Sequence, residues 1–388
     1  MNPRNVSGLV SRRAFVAGFA MVLAGCATVP RSTAPTAPVE RAPVAAPNEA
    51  VLPTDQTRHR VALLVPLTGT NGEVGQSIAN ATTMALLDTN ANALRITNYD
   101  TAASGGAGEA AARALQDGNT LILGPLLREN IGSVVAAARS RDVPVISFSN
   151  DADLAGAGVF IMGISPEQSI RRSVNFVRSK GATNFAALVP EGEYGARARA
   201  AFDRAVTAAG GRAVRVETFA RSNTSIISAA RRIRAAGNVD AVYIGDNPQI
   251  AARAVRELGP GVQIIGNEMW SGDAAVTQQR DLRGAIFSSV SDARYRQFVQ
   301  SYRARFNSAP YRVATLGYDG VLLALAIGDS WRFGRPFPTR ALIDREGFLG
   351  LDGAFRFARN GVVERAMEVR EVSGNQVVVA DPAPATFR

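Results

Sequence analysis

Cysteine and histidine are nearly absent from this chain: one of each, Cys26 and His59, in 388 residues. A single thiol excludes any disulfide within the chain. A single imidazole excludes His-rich metal sites and nearly all Ser-His-Asp or Cys-His nucleophile arrangements. Lysine also occurs once, as Lys180, and Val177 stands three residues before it, so there is no Ser-x-x-Lys pair. The formal charge of +10 is therefore almost all arginine, and it falls to +7 without residues 1–25, where Arg4, Arg12 and Arg13 leave and no acid goes with them (10 − 3 = 7). These cations are spread along the chain, and aromatic residues make up 7% of it, so the dense basic block with interleaved rings that nucleic acid requires is missing. A generally basic, solvated surface fits better, with attraction to an anionic wall or membrane partner as the alternative.

Other catalytic signals fail for want of one residue. Gly69, Gly72 and Gly75 match neither the dinucleotide nor the P-loop spacing and read as a turn lining a cleft. Ser165, in Gly163-Ile164-Ser165-Pro166, lacks the second glycine of a nucleophile elbow. Carboxylates are plentiful, but the sequence places no two of them at glycosidase separation. A non-enzymatic protein with no cofactor and no metal is expected.

What the chain does have is a repeated unit. From His59 to Asp88 an apolar run, Val61 to Val65, is followed by Pro66, a glycine-containing loop and a helix with Ile78, Ala81, Met84 and Ala85 at helical spacing. An apolar run of this kind suits a parallel strand covered on both faces. Similar strand–helix units follow to Met162 and again from Pro166 to Val290. Two helices and a stretch of short strands then close the chain, with Asn360-Gly361 and Gly374-Asn375 as turns. The pattern predicts an α/β fold of two doubly wound Rossmann-like lobes joined by hinge crossovers, with ligands held at the strand ends between them. Residues 58–162 and 291–335 are assigned to lobe 1, and 163–290 with 336–388 to lobe 2, the last strands lying near the hinge.

The N-terminal residues belong to no fold. Residues 1–25 carry three arginines and an apolar stretch, Ala14 to Ala24, too short to span a membrane, and are expected to be a signal peptide. Ser11-Arg12-Arg13-Ala14-Phe15-Val16 resembles the twin-arginine export pattern, with the general secretory route as the alternative. Leu23-Ala24-Gly25-Cys26 resembles a bacterial lipobox, which makes Cys26 the expected site of lipid attachment. Ala27 after it resembles sorting to the outer rather than the inner membrane. Residues 26–57 hold six prolines and are expected to form an extended tether of about 90 Å.

The segments VALLVPLTGTNGEVGQSIANATTMAL, LILGPLLREN, VPVISFSND, FAALVPEGEYGARARAAFDRAV, VDAVYIGDNPQIA and VATLGYDGVLLALA, in this order over roughly residues 58–380, resemble the type I periplasmic binding proteins of the leucine-binding group. Within it the lipobox, the tether and the GPLL variant resemble the penicillin-binding protein activator lipoproteins. The resemblance implies a periplasmic lipoprotein that contacts a peptidoglycan synthase (a penicillin-binding protein). The alternative is a substrate-binding lipoprotein that serves an ABC permease and holds branched-chain or other amino acids. It also implies a ligand site. Where amino-acid binders carry Ser- and Thr-rich turns for the ligand carboxylate, this chain has Leu126-Leu127-Arg128-Glu129, in which Arg128 is either a carboxylate clamp or, on the plainer reading, a solvent-facing residue. Ser149 and Asn150 keep donors on the next turn. Tyr194 matches the residue that closes over the ligand, Asp246 and Glu268 stand where an acid can meet a ligand ammonium, and Trp270 is placed to wall the cleft.

Overall fold

A computed structural model describes residues 57–221, 224–384 and 387. Cys26, the expected signal peptide and all but residue 57 of the tether lie outside the described residues.

The first sheet is built from β1 (His59–Val65), β2 (Leu94–Asp100), β3 (Leu121–Leu123), β4 (Val145–Ser147) and β5 (Val159–Ile161), all parallel in the order β2-β1-β3-β4-β5. Three helices connect them: α1 (Gly72–Asp88), α2 (Gly106–Gln116) and α3 (Ile131–Arg139). The apolar run of β1 is buried on both faces because side chains alternate across a strand. Val61, Leu63 and Val65 pack with Ile78 and Ala85 of α1, whereas Ala62 and Leu64 pack with Ala107 and Ala111 of α2 and Val134 of α3. Each such Val or Leu contributes about 1.5–3 kcal/mol when buried.

The second sheet repeats the design with β6 (Asn184–Pro190), β7 (Arg212–Phe219), β8 (Ala241–Ile244), β9 (Gln263–Ile265) and β10 (Ile286–Ser289). Its helices are α4 (Pro166–Ser179), α5 (Glu193–Ala208), α6 (Ser225–Ala236), α7 (Pro248–Leu258) and the short α8 (Ala275–Gln278). Phe185, Ala187 and Val189 face α4 and α5; Ala186 and Leu188 face α6 and α7. The same close approach starts both lobes. A β-carbon at Gly75 would stand 1.7 Å from the Pro66 carbonyl oxygen, and one at Gly195 would stand 1.6 Å from that of Pro190. Glycine lets α1 and α5, the helices that follow β1 and β6, settle directly onto the ends of those strands. The two-lobed α/β architecture expected from the repeat is the one observed.

After β10 the chain forms α9 (Ala293–Phe306) and α10 (Thr315–Gly328), then β11 (Phe348–Gly350), β12 (Gly353–Phe357), β13 (Val363–Arg365), β14 (Glu368–Ser373) and β15 (Gln376–Asp381). Helix α10 packs along α1, and α9 closes over Ala81 and Met84 through Phe298 and Tyr302, so both helices belong with the first sheet. The expectation that all of 336–388 lies in the second lobe is corrected here. Phe337, Leu342, Phe355, Phe357 and Val363 are buried in the same core as Val61 and Leu63, so the small antiparallel sheet β11-β12-β13 packs on the first lobe. The physical reason is its apolar face, which finds Phe160 of β5 as an edge-to-face partner, with ring centroids of Phe160 and Phe357 5.3 Å apart. Strands β14 and β15 instead extend the second sheet beside β10.

The chain thus crosses between the lobes three times: after β5, between β10 and α9, and between β13 and β14. Arginines bind these crossings together. Arg365 donates to the Met162 carbonyl at 3.1 Å and pairs with Asp319 of α10 at 3.3 Å, both charged groups being fully buried. Arg370 pairs with Glu368 at 2.7 Å and also bonds Asp292 and the Val290 carbonyl. Burial and the neighbouring charge of Asp352 push the Asp319 carboxyl up to about 6, against the pull of Arg365.

Candidate functional site

A cleft of about 620 Å³ opens between the lobes at the carboxyl ends of the strands, where open α/β sheets hold ligands. Its walls are mainly apolar: Leu126, Leu127, Phe148, Ile164, Met269, Val313 and Leu316. Polar groups enter it at Arg128, Ser149, Asn150, Glu268, Ser271, Arg312 and Thr315.

Of the residues named from the sequence, Ser149, Asn150 and Glu268 line this cleft; Tyr194, Asp246 and Trp270 do not. Ser149 is 4% exposed, and its hydroxyl accepts from the Asp151 amide at 3.2 Å, holding its own turn. Tyr194, on the first turn of α5, donates its hydroxyl to Glu268 Oε1 at 3.2 Å and accepts from Asn267 Nδ2 at 3.2 Å. It positions the acid beside the cleft. The buried carboxylate of Asp246 is paired with Arg221 at 2.9 Å and accepts its neighbour Asn247's amide. Trp270 is 1% exposed, packs on Phe287, and donates its indole N–H to the Asp246 carbonyl at 2.8 Å. It supports the loop from beneath.

Glu268 has one oxygen held and one left over. Oε2 is buried and has no hydrogen-bond partner. Burial pushes this carboxyl up to about 7, opposed by its own backbone amide and by Tyr194. An acceptor of this kind, at the wall of an apolar cleft, suits a cation or a hydrogen-bond donor.

Across the cleft stands Arg312, in the short turn Arg312–Ala314 before α10. Its Nη1 lies 2.8 Å from Asp352 and donates to Thr315 Oγ1 at 3.0 Å, and the Tyr295 ring lies 4.2 Å from the guanidinium. Sequence reasoning missed it, because one arginine among many in a basic chain carries no spacing signal.

At the cleft mouth Arg128 is neither free nor merely solvated. It pairs with Asp151 at 2.7 Å and with Glu193 of α5 at 2.7 Å, and Arg197 of α5 reaches Asp151 at 3.4 Å. Asp151 follows β4 in the first lobe, so these contacts join the lobes directly. Among the described residues no cluster of His, Cys, Asp and Glu is arranged to hold a metal ion, and no helix is long and apolar enough to cross a membrane.

Residues 59–376 match the family model described as periplasmic binding protein. The chain belongs to the type I periplasmic binding protein family. A putative branched-chain amino acid ABC transporter protein from Rhodospirillum rubrum superposes with a TM-score of 0.73 at 19% identity, covering 83% of this chain and 99% of that one. The leucine-binding protein LivK of Thermotoga maritima gives 0.60 at 20% identity, over 84% and 99%. Such likenesses establish the shared fold. In sequence, the chain is 26% identical over 140 residues to the uncharacterized protein RP748 of Rickettsia prowazekii, covering 36% of this chain and 38% of that protein. It is also 26% identical over 172 residues to the penicillin-binding protein activator LpoA of Haemophilus ducreyi, covering 39% of this chain and 27% of LpoA. This chain thus matches well under half the length of either relative.

Proposed function

We propose that this binding-protein body is a non-catalytic, lipid-anchored module of the cell envelope that acts on peptidoglycan synthesis by direct contact with a peptidoglycan synthase. The sequence similarity to two LpoA proteins, from Haemophilus ducreyi and Klebsiella pneumoniae, supports the partner class. The observation that carries the reading is the mouth of the cleft. Where the leucine-binding resemblance implies hydroxyls for a ligand carboxylate, Arg128 ties Asp151 to Glu193 and joins the lobes through the protein's own charges. A body closed by its own ion pairs needs no solute to hold its shape, and that suits a docking scaffold. Anchorage through Cys26 at the outer membrane and the tether of 26–57 would let it reach a partner in the wall space. The test is co-purification of the full chain with a detergent-solubilised bifunctional penicillin-binding protein, together with the rate of glycan polymerisation and cross-linking. Association with a rise in either rate is expected. Absence of association, with wall synthesis unchanged on deletion of the gene, overturns the reading.

A second reading has its own observation. The unpartnered Oε2 of Glu268 at the cleft favours a solute-binding lipoprotein for an ABC permease. Its expected sign is a rise in melting temperature with a small solute, since a ligand at a hundred times its dissociation constant adds about 2.7 kcal/mol.

A further inference from the structure

The first lobe carries an arginine-rich loop that the cleft does not use. After α10, from Ser330 to Ile343, the chain holds three arginines and no acid, with Asp329 and Asp344 flanking the stretch. The Arg335 amide donates to the Arg332 carbonyl at 3.1 Å and Gly334 takes φ +70°, so Arg332–Arg335 is a tight turn with Phe333 near its tip and an arginine at either end. Trp331 holds the turn in place: it is buried, edge-on to Phe337, and its indole N–H goes to the Arg335 carbonyl at 3.2 Å. Phe333 is 51% exposed. Arg332, Arg335 and Arg340 are exposed and have no carboxylate partner among the described residues, whereas Arg231, Arg232 and Arg256 on the second lobe are each paired with one.

The position of the loop matters as much as its charge. The ring of His59, at the start of β1, stacks on Trp331 and on Phe333, with centroids 4.0 and 4.3 Å away. The turn therefore sits where the folded chain begins, at the root of the expected tether to Cys26. A half-exposed ring among unpaired arginines, held at that root, matches a bilayer interface, which offers anionic headgroups to the cations and an acyl boundary to the ring.

We propose that the Trp331–Arg340 loop is a membrane-contact surface: Arg332, Arg335 and Arg340 meet the phosphates of anionic phospholipids while Phe333 enters the interface, so the anchored protein rests with its first lobe against the bilayer. This rests on the lipid-anchored part of the reading above and adds an orientation to it.

The test is co-sedimentation of the full chain carrying Cys26→Ser, so that no acyl chain contributes, with phosphatidylcholine vesicles and with vesicles holding about 30% phosphatidylglycerol. The N-terminal residues are the same in every variant, so differences between variants read the loop. Stronger partition to the anionic vesicles is expected, each arginine contributing about fivefold, and it should fade at about 1 M salt. Arg332→Gln, Arg335→Gln and Arg340→Gln together should lose most of that preference; Arg231→Gln, Arg232→Gln and Arg256→Gln together, which lower the net charge equally, should keep it. Phe333→Ser should weaken binding several-fold and leave the salt dependence in place. Equal loss in the two triple variants, or no preference for anionic vesicles, overturns the surface. So does a loss in the first triple variant that appears with purified peptidoglycan sacculi and not with vesicles, since the loop is then a wall contact. Anchorage is measured apart, as the mass of acylated Cys26 in the mature wild-type protein. Acylation present, with both triple variants binding alike, removes only the role of the loop; acylation absent removes both.

Discussion

Arginine–carboxylate pairs stand in two places, between the lobes at the cleft mouth and within each lobe at the crossings, and the two places differ in their access to water. At the cleft mouth, Arg128 is 43% exposed and Glu193 69% exposed. At the crossings, Arg365 and Asp319 are each 0% exposed, and Arg370 is 3% exposed. An exposed pair contributes little and is screened by salt, whereas a buried pair is costly to break once formed because the surviving charge has nowhere to go. The hinge pairs therefore fix the structure, and the mouth pairs bias how far the cleft is closed. A protein that closes only around its ligand would need neither.

Breaking the hinge gives the largest effect. Arg365→Leu leaves Asp319 buried and unpaired and also removes the bond to the Met162 carbonyl. A loss of about 3–5 kcal/mol is expected, read as a lower urea midpoint with an unchanged slope. The double variant Arg365→Leu with Asp319→Leu should recover much of that loss. If the single variant costs less than about 1 kcal/mol, the hinge and the mouth do not differ as argued.

Glu268 sharpens the comparison, because it is a buried acid with no arginine beside it. Its folded pKa is raised to about 7 from an ordinary value of 4.5. Between those values the unfolded chain ionises while the folded one holds its proton, so the folded state binds more protons and stability falls as pH rises, levelling off above 7. Asp319 contributes in part of the same window, so the informative quantity is the difference between wild type and Glu268→Gln. The variant should be the more stable by on the order of 2 kcal/mol at pH 8, with little difference at pH 4. Denaturant midpoints across that range measure it. A pH-independent difference would mean that Glu268 finds a partner in solution.

Most of this architecture was legible in the sequence because its elements are strongly periodic. Val61–Val65, the helix from Pro166 and the strand Gly353–Phe357 announce themselves by runs, spacing and turn residues. What escaped were short elements whose burial comes from tertiary contact: β11 has three residues, Phe348–Gly350, and β13 three more, Val363–Arg365. Their placement on the first lobe depends on which core receives Phe355 and Phe357, and periodicity cannot state that. The site divides in the same way. The resemblance to the leucine-binding group nominated Ser149, Asn150 and Glu268, which line the cleft, but the same correspondence also nominated Asp246, whose partner Arg221 sits 25 residues away in the chain. Tyr194 stands next to Glu268 rather than in the cleft. Arg312 was invisible, because what marks it is two buried nitrogens, Nε and Nη2, without partners, a property of packing.

The smallest effect separates the mouth from the hinge most directly. Arg128→Ala removes two contacts from one solvent-facing side chain, and Arg197 remains at 3.4 Å from Asp151 to hold the buried acid. The expected cost is therefore no more than about 1 kcal/mol at low salt, and it should shrink further at 1 M salt, where charges are screened within about 3 Å. Stability is the wrong place to look for its main consequence. If the ion pairs set the degree of closure, small-angle scattering should give a larger radius of gyration for Arg128→Ala than for wild type, both without added solute, and high salt should open wild type toward the variant's value. Arg365→Leu, measured where it is still folded, should not respond to salt in this way, because no mobile ion reaches a pair that is fully buried. Equal radii for wild type and Arg128→Ala would show that the hinge alone sets the closed shape, and would remove the observation on which the scaffold reading rests.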